Sequence, residues 1–183
     1  MAFRGEIADF ARFYESTYPG AFRTALAIVR EAGLAADVTQ EAYVKAYRER
    51  HRFRGDAPVV AWLHRIVVNE AISGIRKRSR GPREIDMSNA WGATSGPGEV
   101  AGVADRVSIL GALDALTPRA RAAVVLRYYH DYDYATIGRI LGTSAGNVGV
   151  LLTRSLDRLR TELETPPTSL PSDDRPVEVR DER

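Results

Sequence analysis

The chain has 183 residues, room for one domain or two small ones, and its 27% of charged residues nearly cancel to a formal net charge of +2. No overall field announces a nucleic-acid partner, so any such role has to come from local clusters. The absence of cysteine excludes disulfides and thiolate metal sites. The opening after Met1 is charged and amphipathic rather than signal-like, and no apolar run approaches membrane-spanning length. The chain therefore reads as cytoplasmic, with no membrane insertion.

Phe10, Phe13, Tyr14 and Tyr18 mark one face of a first helix, which Pro19-Gly20 is expected to end. Phe22, Leu26 and Val29 carry a second, stopping near Gly33. A third runs from Asp37 to about Arg50. The loop FRGDAP follows, and Pro58 suits the first turn of a fourth helix capped by Asp56 or a neighbour. The apolar residues of that helix (Val60, Leu63, Ile66, Val67) cover more than one face, as expected of the central element of a bundle.

Residues 81–104 are rich in Gly, Ser, Pro and Ala with weak periodicity and read as a flexible linker. Helical spacing resumes with Val107, Leu110, Leu113 and Leu116, and Thr117-Pro118 is a strong helix start. Ile137, Ile140 and Leu141 share one face of a short helix. Gly142-Thr143 breaks it, Ser144 caps a new start, and Val148, Leu151, Leu152, Leu156 and Leu159 return at helical spacing. Two helices joined by a tight Gly turn form a helix-turn-helix, whose second helix enters a DNA major groove, although αα-hairpins of bundles share the pattern. The residues after Glu164 hold four prolines among mixed charges and are expected to be disordered. The fold class is all-α: two small helical domains, 5–80 and 105–164, joined by a linker at 81–104 and followed by a tail at 165–183.

Arg76, Lys77, Arg78, Arg80 and Arg83 form a dense basic run at the end of the fourth helix, more than a helix dipole requires, and a phosphate-facing role is favoured. Arg48, Arg50, Arg52 and Arg54 form a second cationic stretch, and the two are expected to frame one groove for a nucleic-acid strand. His51, His64 and His130 are scattered without metal spacing, and there is no Gly-rich phosphate loop or nucleophile motif. No cofactor, metal or catalytic group is expected. Asp131 and Asp133 read as a turn in which Asp133 caps the next helix.

The run from Asp37 to Arg80, with DVTQEAY, FRG, WLHRIVVN and a basic end, resembles the second conserved region of bacterial extracytoplasmic-function sigma factors. The run ALDALTPRARAAVVLRYYHDYDYATIGRILGTSAGNVGVLLTRSLDRLRTEL resembles their fourth region. The two matches cover residues about 10 to 80 and 107 to 163, in the family's order. The resemblance implies a non-enzymatic factor that joins RNA polymerase core, through its beta and beta-prime subunits, and directs it to promoter DNA, with an anti-sigma protein as a further possible partner. It implies core docking by Asp37, Gln40 and Glu41, beside the alternative of a solvated face supported by a Glu41–Lys45 pair. It implies −10 contacts by Phe53, Arg54 and Gly55, which help receive a flipped base, with Asn69 and the cations Arg76, Lys77, Arg78 and Arg80. Asn69 offers a base edge both donor and acceptor, or else bridges two helices. Trp62 reads as core.

The second helix of the motif departs from the family wording at Asn147, Gly149, Val150 and Leu151, losing two cations and gaining a helix-weakening Gly. Ser144, Asn147 and Arg154 remain as the −35 contacts, weak −35 binding is expected, and Leu151 is expected at the groove edge or facing a partner. Two other classes fit these residues: a helix-turn-helix regulator acting without polymerase, and an interaction protein whose second domain has exchanged DNA for a protein.

Overall fold

A computed structural model describes residues 7–53, 55, 57–80 and 111–164. The expected linker, the expected tail, Arg54, Asp56 and Arg83 lie outside the described residues. The elements are helices α1 (Ile7–Val29), α2 (Ala32–Glu49), a 3₁₀ turn (Arg50–Arg52), α3 (Val59–Arg78), α4 (Pro118–Tyr128), α5 (Tyr134–Leu141) and α6 (Ala145–Glu164).

The first half is a bundle in which α1, α2 and α3 pack pairwise. The two expected opening helices are one, since α1 runs through Pro19 without ending. An internal proline costs a helix about 3 kcal/mol. Phe13, Ala21, Ala25 and Ile28 are all buried along one continuous face, and burial on both sides of Pro19 outweighs that local penalty. The break comes later, at Arg30, whose φ of +67° is the left-handed conformation usual for a glycine after a helix. The next helix accordingly starts at Ala32 rather than Asp37, with Gly33 inside its first turn. Helix α3 starts after Pro58 with no side-chain cap, in place of the expected Asp56 cap.

The second half follows its local signals closely. Thr117 Oγ1 accepts from Ala120 N at 3.3 Å, with Pro118 opening α4. Asp133 Oδ1 accepts from Thr136 N at 2.6 Å at the start of α5, a bond that holds its carboxyl below the usual carboxylate range. Gly142 ends α5 at φ +63°, and Ser144 Oγ caps α6 by accepting from Asn147 N at 3.2 Å. The turn folds back so tightly that a Cβ on Gly138 would lie 2.7 Å from Thr143 O. This is a helix-turn-helix.

The two halves are not separate in the structure. Helix α4 packs on α1 and α5 packs on α3. Ala122, Ala123, Leu126, Ile137 and Ile140 belong to the same buried cluster as Ala21, Ala25, Ile28, Leu63 and Val67. Polar contacts cross the junction too: Arg121 Nη1 donates to Ile28 O at 2.6 Å, and Arg30 Nε meets Asp114 Oδ1 at 2.8 Å. Units of this size bury too little surface alone, and a shared core offsets that.

Candidate functional site

Three exposed surfaces carry the sequence-predicted residues. On α2, Asp37, Gln40, Glu41, Val44, Lys45 and Arg48 follow the 3.6-residue period along one outer face, while Ala35, Val38, Thr39, Ala42, Tyr43 and Ala46 point into the bundle. Lys45 does not pair with Glu41. It reaches across to Glu70 of α3 at 3.1 Å, which leaves Asp37 and Glu41 without an ion pair among the described residues. Beside this face an aromatic groove opens between α1 and α2, lined by Phe10, Tyr14, Tyr43, Val44 and Tyr47. Tyr43 forms its floor, held by Thr17 Oγ1 at 2.7 Å, and burial raises its phenol to about 12. The sequence pattern places Phe10 and Tyr14 on one face of the first helix and says nothing of Tyr43 or Tyr47, so the groove goes unseen there. The spacing of Gln40, Val44 and Tyr47 was the signal available.

On α3 the buried residues are Ala61, Leu63, His64, Ile66, Val67, Val68 and Ala71. The opposite arc carries Trp62, Arg65, Asn69, Ser73, Arg76 and, past the helix end, Arg80. Asn69 is exposed and makes no side-chain hydrogen bond to a described residue, so it bridges no helices. Arg65, one turn before Asn69 on the same stripe, went unremarked in the sequence, though a helical projection finds it. Trp62 is half-buried, and Phe53 rests on it with ring centroids 5.5 Å apart. Gly55, at φ +78°, is exposed.

The basic run sorts itself. Arg76, Lys77 and Arg80 are exposed, whereas Arg78 pairs with Glu31 at the start of α2. Among their described residues, the two cationic stretches do not frame a groove. The 3₁₀ turn sits by the start of α3, through Phe53 and Trp62, and the basic run lies at the far end, so at 1.5 Å per residue Trp62 and Arg76 are about 21 Å apart. They mark the ends of a track joined by Arg65 and Asn69. Arg50 is turned aside, its guanidinium 4.0 Å from the Tyr47 ring centre.

On α6, Asn147, Val150, Arg154 and Arg158 share the outer face, while Val148, Leu152 and Ser155 are buried. Ser144 and Asn147 are exposed but already engaged: Ser144 caps the helix, and Asn147 Nδ2 donates to Thr143 Oγ1 at 3.2 Å. Arg154 is exposed without an ion pair among the described residues. The expectation for Leu151 is corrected. It is half-buried against Leu113, Leu116 and Ala120, on the flank of the outer face, and Val150 takes the outward place at 52% exposure. Gly149 faces Tyr134, whose ring carbon would lie 3.4 Å from an added Cβ.

Comparison with known proteins accounts for both halves. Residues 13–81 match the Sigma-70 region 2 family and residues 106–159 match Sigma-70, region 4. The RNA polymerase sigma-E factor of Streptomyces avermitilis is 30% identical over 161 residues, covering 88% of each chain. The chain belongs to the extracytoplasmic-function family of bacterial sigma factors. The family's SigM of Mycobacterium tuberculosis is 31% identical over 155 residues, covering 85% of this chain and 77% of SigM. Among solved structures, the sigma factor RpoE of Bartonella quintana, in complex with the anti-sigma factor NepR, shares the fold at a TM-score of 0.69 with 24% identity, covering 86% of this chain and 98% of that one. CnrH, in complex with the cytosolic domain of CnrY, does so at 0.64 with 21% identity, covering 87% and 90%. As a sigma factor the chain binds RNA polymerase core and directs initiation at promoters, with region 2 for the −10 element and region 4 for the −35 element. It is an initiation factor rather than an enzyme, and phosphoryl transfer belongs to the polymerase.

Proposed function

We propose that this sigma factor divides its work among the three surfaces. The outer face of α2, with Asp37, Gln40 and Glu41, docks on polymerase core. Phe53, Arg54 and Gly55 receive a base flipped from the −10 element, and Asn69 reads that strand while Arg76, Lys77, Arg78 and Arg80 hold its phosphates. Ser144, Asn147 and Arg154 contact the −35 duplex. The supporting observation is exposure: every described residue in this assignment is exposed except Phe53, which is anchored on Trp62. Exposed carboxylates on α2 with no ion pair among the described residues suit a basic or amide-bearing docking surface, to which they are complementary. Arg78 is the weakest member, because Glu31 already holds it.

The site of action is the cytoplasm, where polymerase core and promoter DNA meet; among the described residues no helix is long and apolar enough to cross a membrane. An anti-sigma partner is a further proposal, supported by the fold shared with RpoE, which is bound to NepR.

Charge reversal at Asp37 and Glu41 tests the docking surface. Removing a docked charge typically costs about 2–5 kcal/mol of binding when it is buried at an interface. The double reversal should bind core at least tenfold more weakly while melting within about 2 °C of the parent, since exposed substitutions stay within about 0.5 kcal/mol. Unchanged affinity for core, measured by fluorescence anisotropy with labelled sigma, would refute the assignment.

A further inference from the structure

The three histidines look scattered in the sequence, yet the fold brings two of them together at the junction of the two halves. His64, on the buried arc of α3, lies 3.9 Å from His130, centroid to centroid, in the turn after α4. Each is tied by its own bond. Thr24 of α1, fully buried, gives its one hydroxyl proton to Gly20 O at 2.8 Å and so accepts from His130 Nε2 at 2.7 Å. His64 Nδ1 meets the Tyr132 hydroxyl at 3.0 Å. Three parts of the fold, α1, α3 and the α4–α5 turn, are thereby joined through one small polar cluster at the junction.

We propose that His64 and His130 form an acid-sensitive latch: neutral, they hold the region 2 and region 4 halves closed, and protonated, they let the halves part. The surroundings offer a charged imidazole little. From α1 the cluster meets Thr24, which is neutral. From α3 it meets His64 itself, the charged Arg65 lying on the opposite, exposed arc. From the turn it meets Tyr129 and Tyr132, the latter with its phenol raised by burial. Asp131, the neighbouring carboxylate, is 94% exposed and pairs with Arg127 at 3.3 Å, while Arg127 also donates to Tyr132 O. From α5, Asp133 is committed to Thr136 N and Arg139 to Thr136 Oγ1. Among the described residues no carboxylate is left to stabilise a cation on either ring, and two cations at this separation would repel each other. Burial accordingly lowers His64 to about 3, with His130 adding to the effect, and lowers His130 to about 4.

The sign follows from linkage. Each histidine has a lower pKa closed than open, so its contribution to closure is complete above the ordinary value near 6.5 and is lost as pH falls below it. Between pH 7.5 and 5.5 the closing constant should fall by about tenfold for each histidine, about 100-fold for the two. The consequence for transcription rests on the promoter reading above. Elements about 25 base pairs apart are separated by about 85 Å of duplex at 3.4 Å per step. A closed chain of this size has a radius of gyration of only about 16 Å. A closed chain cannot engage both elements, and opening has to precede or accompany joint engagement.

The latch is testable on the free chain, without polymerase or DNA, so its failure is distinct from a failure of the promoter reading. The chain has no cysteine, so Arg12→Cys on α1 and Arg160→Cys on α6, both exposed, accept a dye pair cleanly. Energy transfer should be high at pH 7.5 and fall toward pH 5.5 while far-UV circular dichroism holds steady. The isosteric pair His64→Asn and His130→Gln, whose amides stand near Nδ1 and Nε2 but do not titrate, should abolish the pH response, as should His130→Gln alone in part. Transfer in the parent that is constant across this range, or an unchanged pH response in the double variant, would overturn the proposal.

Discussion

Two glycines in the helix-turn-helix should respond to alanine in opposite directions, although both sit in helices where alanine is favoured by about 1 kcal/mol. At Gly138 the added Cβ would meet Thr143 O at 2.7 Å, with Ala145 N and Ser144 C at 3.4 Å. These atoms are backbone, and they are held on both sides: Thr143 N bonds Gly138 O at 2.8 Å, and Ser144 caps α6. Reaching ordinary contact requires the turn to move by more than 0.5 Å, given contact distances of about 3.3 Å or more. Overpacking of this kind costs about 1–3 kcal/mol, and a strained turn bond adds about 1 kcal/mol. After the propensity gain, Gly138→Ala should destabilise by about 2 kcal/mol, lowering Tm by about 4–8 °C in a chain of this size. At Gly149 the Cβ would lie 3.4 Å from the Tyr134 ring edge, in van der Waals contact. Gly149→Ala should therefore keep most of the propensity gain and raise Tm by about 2–4 °C. Scanning calorimetry on the full chain at pH 7.5, where the histidine junction is neutral, reads both. Shifts of the same sign, or a stabilising Gly138→Ala, would mean that the turn yields freely and that its tight crossing does not set the angle of α6.

Asn69→Ala should alter discrimination at one −10 position with little change in overall salt dependence, whereas Arg76→Ala or Lys77→Ala should weaken opening on every promoter and reduce the salt slope by about 0.7–0.9 per lost contact. Permanganate footprinting across single-base promoter variants separates the two, and uniform losses for Asn69→Ala would refute a base contact. Leu151→Arg should lower stability by about 1–3 kcal/mol with no gain in duplex affinity, because it drives a cation against Leu113, Leu116 and Ala120. An unchanged melting temperature together with tighter −35 binding in fluorescence anisotropy would return Leu151 to the groove.

Local chemistry explains what was legible in the sequence. The caps at Thr117, Asp133 and Ser144 and the left-handed Gly142 each depend on one or two neighbouring residues, and each was read correctly. The misreadings came where a longer-range term overrides a local one. Pro19 is a breaker by propensity, yet the buried face through Ala21, Ala25 and Ile28 carries α1 past it. Arg30 ends that helix in a conformation its residue type does not announce. The candidate surfaces were legible as helix faces, because periodicity fixes which residues share a side. Their pairing was not: Lys45 with Glu70 and Arg78 with Glu31 cross between helices 25 and 47 residues apart in sequence. The meeting of His64 with His130 depends on how one half of the chain packs on the other, and no spacing encodes that.

The makeup of the junction bears on how readily it yields. Its apolar part contains small side chains, Ala21 and Ala25 of α1 with Ala122 and Ala123 of α4, which bury less area than leucines would. Its buried charge is incompletely satisfied. Arg121 donates to Ile28 O and Leu116 O, and among the described residues no carboxylate bonds it and its Nε has no partner, so desolvation is only partly recovered and its pKa is lowered. The Arg30–Asp114 pair is partly exposed and contributes at most about 1 kcal/mol. Such an interface completes two small cores while remaining separable. If the closed form holds 99% of the population, partners of the open form bind about 100-fold more weakly than their intrinsic affinity, a deficit of about 2.7 kcal/mol. A deficit of that size lies within the about 2–5 kcal/mol associated with truncating one docked charge at an interface. The outer face of α2 is exposed in the closed form as well, so contacts there do not by themselves shift the balance. Opening needs contacts that closure withholds, and two or three of these worth about 1 kcal/mol each offset the deficit.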